Sequence, residues 1–330
     1  MAAPLAIYAL TPAGLDLARR LASALDGAVF APERLAGPGE TGFAALGPCL
    51  AGNFRNFEAH VCVAAAGILV RLLAPLLGTK DRDPAVLALD QGGRFCVSLL
   101  SGHLGGANAL ARRVAAITGG TAVITTATDS AGLPSLDLLA RERGLRIGDL
   151  SGVKRANAAL LEGRALRVQD PEGRLGDLDP ALFEPVDRDG EVVVDWRAGE
   201  GPALRLHPPV LWAGVGCRRG TPPEEILGLL RQVFAGEGLA LGSLAGLASV
   251  EDKRGETGLL AAASDLGAEI RFFTREELSR VPVATPSAAA REHLGLEGVC
   301  EAAAVLAANG RLLVPKRKTA RATLAVALAG

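Results

Sequence analysis

The stretch FCVSLLSGHLGGANALARRVAAITGGTAVITTATD, residues 95–129, decides the fold. It opens on the branched and aromatic side chains of a strand, turns glycine-rich at its centre, and then places apolar residues at helical spacing through ALARRVAAIT. A strand, a tight turn and a helix start follow one another, and AVITTA supplies the next strand. Gly102, Gly105 and Gly106 remove side chains where the backbone turns sharply or approaches a ligand, and the helix start offers unpaired N–H groups and a positive dipole end. Such a loop suits an anionic ligand. Ser101, His103 and Asn108 sit within it, and a second polar run, TTATDS (residues 125–130), follows the next strand. Open α/β sheets put their chemistry at strand ends of this kind. The loop matches neither the phosphate-loop pattern GxxxxGK(S/T) nor the dinucleotide pattern GxGxxG, which argues against a nucleotide-dependent enzyme. The structural alternatives are glycines that serve only helix-sheet packing and a histidine that only holds the turn.

The same alternation extends in both directions. LAIYAL (residues 5–10), TPAG and LDLARRLASALDG read as strand, turn and helix, VCVAAAG leads into ILVRLLAPLLG, and AVLALD pairs with FCVSLL across QGGR. From Leu150 to His207 long apolar runs give way to Asp, Gly, Pro and Arg, as in DPEGRLGDLDP, so this part reads as a small loop-rich domain or a structured linker. The pattern restarts at Pro209 with the strand LWAGVG, a turn in which Thr221 is the expected N-cap and Pro222 the first helical residue, and the helix EEILGLLRQVF with acids in its first turn. LASVEDKRGETGLLAAASDLGAEIRFFT gives strand, polar turn, helix and strand, and VCEAAAVLAANG a last helix. RLLVPKRK and RATLAVAL predict a final hairpin, with PKRK (residues 315–318) as its charged turn. The expected fold class is α/β: two open α/β domains, 1–148 and 209–330, joined by a small loop-rich middle segment, 149–208.

With 330 residues and 49% hydrophobic content the chain can bury more than one core. A net charge of −1, without interleaved basic and aromatic residues, argues against a nucleic-acid partner. No apolar run reaches the roughly 18 residues of a spanning helix, and PLAIYAL is short and lacks a basic lead, so a cytoplasmic protein with no membrane partner is expected. Cys49, Cys62, Cys96, Cys217 and Cys300 are scattered, without a CxxC pair, which predicts neither a disulfide framework nor a zinc site; Cys62 and Cys96 read as core residues.

Two strand-end turns dominate the C-terminal part, GVGCRRGT (residues 214–221) and SVEDKRGETG (residues 249–258). Each joins glycines to two positive charges, a combination that binds carboxylates through guanidinium forks and backbone N–H groups. Solvated loops with surface ion pairs are the alternative.

The run AAAGILVRLLAPLLGTKDRDPAVLALDQGGRFCVSLLSGHLGGANALARRVAAITGGTAVITTATD, with GVGCRRGT, SVEDKRGETGLLAAA and VCEAAAVLAANGRLLVPKRK in the same order, closely resembles the cobalt-precorrin-5A hydrolase (CbiG) family of anaerobic cobalamin biosynthesis. The resemblance implies a hydrolase that opens the δ-lactone of cobalt-precorrin-5A and releases acetaldehyde, giving cobalt-precorrin-5B. It implies no cofactor of the protein's own, since cobalt comes with the corrinoid substrate, and transient contact with neighbouring corrin-pathway enzymes. A carboxylate-edged macrocycle asks for a cationic rim, for which Arg71, Lys80, Arg218, Arg219 and Lys253 are candidates. Gly67, Gly102, Gly105, Gly106, Asn108, Gly216, Thr221 and Glu256 are the further expected substrate-binding residues. Lactone opening needs an activated water and a stabilised oxyanion, which points to His103 as general base or acid with the Gly105 and Gly106 amides near the developing charge. Asp90 or Asp129 would orient His103, and Ser101 is the less favoured nucleophile. His103 as an axial cobalt ligand is the competing role, and a non-catalytic tetrapyrrole carrier the competing function.

Overall fold

The computed structural model of the chain describes residues 5–79, 82–103 and 105–330. It divides into two compact units, Met1–Leu139 and Ala140–Gly330. In the first, β1 (Leu5–Ala9), β2 (Gly27–Pro32), β3 (Thr41–Phe43), β4 (Ala59–Val63), β5 (Ala85–Leu89), β6 (Phe95–Leu100) and β7 (Thr121–Val123) form one sheet in the order β3-β2-β1-β4-β5-β6-β7. Period-two alternation covers both faces. Leu5, Ile7 and Ala9 with Leu87 and Leu89 pack with residues of the helices Pro12–Leu25 and Ala107–Thr118. Ala6, Tyr8, Val86 and Ala88 pack instead with the helices Leu46–Asn53 and Ala66–Leu73. Cys62 and Cys96 are fully buried in these layers. The helix Pro12–Leu25 begins where the Thr11 hydroxyl accepts the Gly14 N–H at 3.1 Å.

All neighbours in this sheet are parallel except β5 and β6, which pair antiparallel across the QGGR turn. Leu89 lies opposite Cys96 and Val86 opposite Leu100, so the loop after Leu100 opens at the edge where β5 begins. β7 runs parallel to β6 and delivers the polar run after it to that same edge.

The second unit holds two sheets. β8 (Arg146–Ile147), β9 (Leu166–Gln169), β10 (Phe183–Pro185), β11 (Val192–Val194) and β12 (Leu204–His207) make the middle one, ordered β10-β9-β11-β12-β8. The loop-rich texture of this part thus carries its own small sheet, and β8, which precedes residue 149, pairs with β12. β13 (Leu211–Cys217), β14 (Leu244–Val250), β15 (Glu269–Phe273), β16 (Gly310–Lys318) and β17 (Ala322–Ala329) make the other, ordered β15-β14-β13-β17-β16. The expected C-terminal hairpin is present as the antiparallel pair β16 and β17.

Two local expectations differ from the structure. Thr221 does not cap the next helix: Pro222 occupies the N-cap of Pro223–Gly236, and the Thr221 hydroxyl donates to the Arg218 carbonyl at 2.8 Å. PKRK is not the hairpin turn either, because all four residues belong to β16 and the turn is residues 319–321. Pro315 falls where the pairing register shifts between Val314 and Arg317 on an edge strand, a place that tolerates a missing N–H.

Gly214 lets the helix Cys300–Ala308 lie directly on β13, since a Cβ there would sit 1.9 Å from the Cys300 carbonyl oxygen. Backbone cannot rotate away from such a clash. Gly214→Ala is therefore expected to destabilise the second unit by about 1–3 kcal/mol, read as a lower urea midpoint; an unchanged midpoint would show that this packing is looser than described.

Candidate functional site

His103 is held between two carboxylates. Its Nε2 lies 2.9 Å from Asp129 Oδ2, and its Nδ1 lies 3.1 Å from the Ser135 hydroxyl and 3.6 Å from Asp137 Oδ2. The three side chains are largely buried, at 16%, 12% and 8% exposure for His103, Asp129 and Asp137. Asp137 and Asp129 raise the imidazole pKa against the opposing pull of burial, so the two acids favour the imidazolium form. Burial works to raise the Asp129 pKa, but hydrogen bonds from Thr126, Arg112 and His103 outweigh it and bring the carboxyl down to about 2. Asn108 adds a further hydrogen bond to Asp129 Oδ2 at 2.9 Å. The contrast within the unit is His60, fully buried against Tyr8 and Phe54, whose pKa burial lowers to about 4; it is a neutral core residue.

The other residues expected here take different places. Asp90 lies beyond the far end of β5, where it accepts the N–H groups of Gly92 and Phe95 and closes the hairpin turn, so it cannot orient His103. Gly67 begins the helix that follows β4, at the edge shared with Asp90, and Arg71 stands exposed in that helix's last turn. Lys80 lies outside the described residues. Ser101 takes a left-handed backbone (φ 58°) and donates its hydroxyl to the Asp83 carbonyl at 2.8 Å, which commits it to the loop rather than to nucleophilic attack. The Gly106 amide donates to the His103 carbonyl at 2.9 Å and the next two amides go to Ser101 and Gly102, so of the two amides expected to face a developing charge the Gly106 one is already engaged within the loop. Gly105 and Gly102 are required by packing: a Cβ would meet Ser101 Cβ at 2.4 Å and Asn108 Oδ1 at 2.8 Å respectively. Asn108 is buried, bridging Ser98, Thr126 and Asp129, and so positions the acid rather than touching a substrate.

In the second unit the turns GVGCRRGT and SVEDKRGETG do come together, at the carboxyl ends of the parallel strands β13 and β14. Glu256 joins them, accepting the Gly220 N–H at 2.6 Å and the Lys253 ammonium at 3.3 Å. Gly258 brings the second helix onto the first turn, since a Cβ there would lie 1.9 Å from the Thr221 carbonyl oxygen. Glu256 and Thr221 are thus internal braces. Gly216 lines the space between the turns and the last hairpin, a cavity of about 1050 Å³. Arg218, Arg219, Lys253, Lys316, Lys318 and Arg321 line it too, with Glu301 as its one acid among the described residues. Cys217 also faces it, and burial raises the thiol's pKa more than Lys253 lowers it; the arginines beside it in sequence do not make it a thiolate. Among the described residues no cluster of His, Cys, Asp and Glu is placed to hold a metal ion, and no helix is long and apolar enough to cross a membrane.

Family descriptions of cobalamin synthesis G match in three successive blocks: the N-terminal part over residues 48–129, the central region over 134–208 and the C-terminus over 211–327. The chain belongs to the cobalamin synthesis G family. Among its relatives is the cobalt-precorrin-5A hydrolase of Salmonella typhimurium, 36% identical over 94% of this chain and 93% of that protein. The cobalt-precorrin-5A hydrolase of Priestia megaterium is 30% identical over 83% of this chain and 79% of its own. Protein CobE of a Sinorhizobium species is 36% identical over 34% of this chain and 77% of its length. A hydrolase of cobalamin biosynthesis is what these likenesses support.

For this family member, the residues missed by sequence reasoning are Asp137, Ser135 and Arg112 at the histidine, and Lys316, Lys318 and Arg321 at the cavity. The run PSLD (residues 134–137) is the signal that could have drawn attention to Asp137.

The arrangement fixes a pH window. Asp129, lowered in the fold, stabilises the unit above the ordinary carboxyl range of about 4 and ceases to do so as pH falls toward 2. His103, raised in the fold, stabilises it fully below about 6.5 and loses that contribution as pH climbs through the folded value. The His103 ring should titrate above 6.5 in an NMR experiment, and Asp137→Asn should move the midpoint down; a midpoint below 6.5 in the unaltered protein would contradict stabilisation of the charged ring by the two acids.

Proposed function

We propose that the chain is a cobalt-precorrin-5A hydrolase, opening the δ-lactone of its corrinoid substrate and releasing acetaldehyde to leave cobalt-precorrin-5B. The relatives named for that activity support the reading. The observation that carries its chemistry is His103, held between Asp129 and Asp137, which favour its protonated form, beside a glycine-rich strand end. Cobalt enters as part of the substrate, and the corrinoid is the principal partner, with neighbouring corrin-pathway enzymes as transient ones.

Water adds to the lactone carbonyl and the ester C–O bond breaks, freeing a carboxylate and an alcohol. The alcohol then loses its proton and its carbon becomes the aldehyde carbon as the bond to the macrocycle breaks. The electron pair of that bond stays on the macrocycle, which takes up a proton. Both halves need a proton delivered to or removed from oxygen in a nearly dry setting, where a fixed donor contributes typically two to four powers of ten. His103 suits delivery to the leaving lactone oxygen. Both ring nitrogens have partners in the fold, Nε2 in Asp129 and Nδ1 in Ser135 and Asp137, so delivery exchanges one of these contacts for the substrate oxygen. Cobalt coordination would instead require a ring nitrogen stripped of its proton against the pull of both acids.

A second reading, a corrinoid carrier without hydrolytic activity, draws on the match of about a third of the chain to Protein CobE and on the cationic cavity in the unit that lacks His103. Acetaldehyde release separates the two. His103→Ala is expected to lower the rate of release by about 10²–10⁴-fold in a coupled aldehyde-reduction assay, while Cys217→Ser stays within a few-fold of the unaltered protein. An undiminished rate in His103→Ala would end the proton-transfer proposal, and no aldehyde from the unaltered protein in the presence of bound substrate would leave the carrier reading.

A further inference from the structure

The six cations around the C-terminal cavity fall into two groups. Lys253 is paired with Glu256, Lys316 donates to the carbonyls of Thr285 and Pro286 at 2.8 and 3.1 Å, and Arg321 donates to the carbonyls of Arg219 and Gly220 at 3.2 and 2.8 Å. These three build the walls. Arg218, Arg219 and Lys318 are exposed, and among the described residues none of their side chains has a hydrogen-bond or ion-pair partner.

From this division we infer that the cavity binds a rigid ligand carrying several separated carboxylates, held by Arg218 and Arg219 on one side and Lys318 on the other. The spacing argues for the ligand class. Cys217, just before the two arginines, lies opposite Ala322 on β17, and Lys318 lies opposite Thr323 on β17's other side. Two strand spacings, about 10 Å, separate the backbones that carry the two groups. Acid side chains around the rim of a rigid macrocycle are spaced to meet both groups at once without the long cationic side chains folding inward. Val299, Leu294 and Ala322 give the cavity an apolar wall, and its volume of about 1050 Å³ exceeds that of most drug-sized pockets. The inference rests on the corrinoid reading for the identity of the macrocycle. It deepens that reading by assigning a binding site that lies wholly in the second unit and does not involve His103.

The test uses the full-length chain and two probes of one skeleton: dicyanocobyrinic acid, a corrinoid with free carboxylates, and its fully methyl-esterified form, which has none. The acid should bind at least about tenfold more tightly than the ester, and its affinity should fall with added salt. The triple variant R218A/R219A/K318A should bind the acid about a hundredfold more weakly with an unchanged melting temperature, since all three side chains are exposed. Lys253→Ala should change affinity by no more than a few-fold. His103→Ala should bind the acid as the unaltered protein does, so a failure of hydrolysis and a failure of this inference are read separately. Equal affinity for acid and ester, undiminished binding by the triple variant, or loss of binding in His103→Ala would each overturn it.

Discussion

The antiparallel pairing of β5 with β6 sets the geometry on which the N-terminal site depends. Had β6 run parallel to its neighbours, the glycine-rich loop would have opened beside Asp90 and the start of the helix Ala66–Leu73. The hairpin instead carries the chain back across the sheet, and β7 follows β6 in direction, so His103 and Asp129 reach one edge from consecutive strand ends. The helix Leu136–Glu142 then begins there and adds Asp137 as the second acid. Two acids on one imidazole stabilise its charged form, and the loop's own hydrogen bonds engage the amides of Gly106, Ala107 and Asn108 at the helix start.

That geometry explains what could be read from the sequence and what could not. Period-two and helical spacing identify β1, β4, β5, β6, β13 and β14 and the helices between them, and QGGR marks the hairpin at β5 and β6. Periodicity carries no information about which edge a loop occupies, and so Asp90 and Asp129 look equally able to serve His103 until strand direction is known. Asp137 was out of reach for a related reason: its nearness to His103 follows from how the chain turns after Pro134, not from any spacing pattern. The middle sheet escaped because its strands are two to four residues long, too short for alternation to register. At the last hairpin, Pro315 and its charged neighbours suggested a turn, while the real turn, residues 319–321, contains neither glycine nor proline.

In the C-terminal sheet the decisive feature is β17, inserted antiparallel between the parallel group and the edge strand β16. It places the end of β13 and the end of β16 on either side of its own first residues, which gathers cations from sequence positions a hundred residues apart at one mouth. Glu256 fixes the two parallel-strand turns to each other, and in doing so withdraws Lys253 from the free charge of that mouth.

Glu301 has a different part. Only 2% exposed, it receives the Lys316 N–H at 2.8 Å on one oxygen and the Thr285 N–H at 2.9 Å on the other, tying the edge strand to the loop at Thr285, both of which line the cavity. A single carboxylate thus fixes two lining segments to each other. Ions in solution screen exposed charges over about 8–10 Å but screen a buried one far less. The joint between these two lining segments is therefore held by a contact that salt reaches far less than it reaches the exposed Arg218, Arg219 and Lys318, so the shape of the wall and the charge of the surface respond to different conditions.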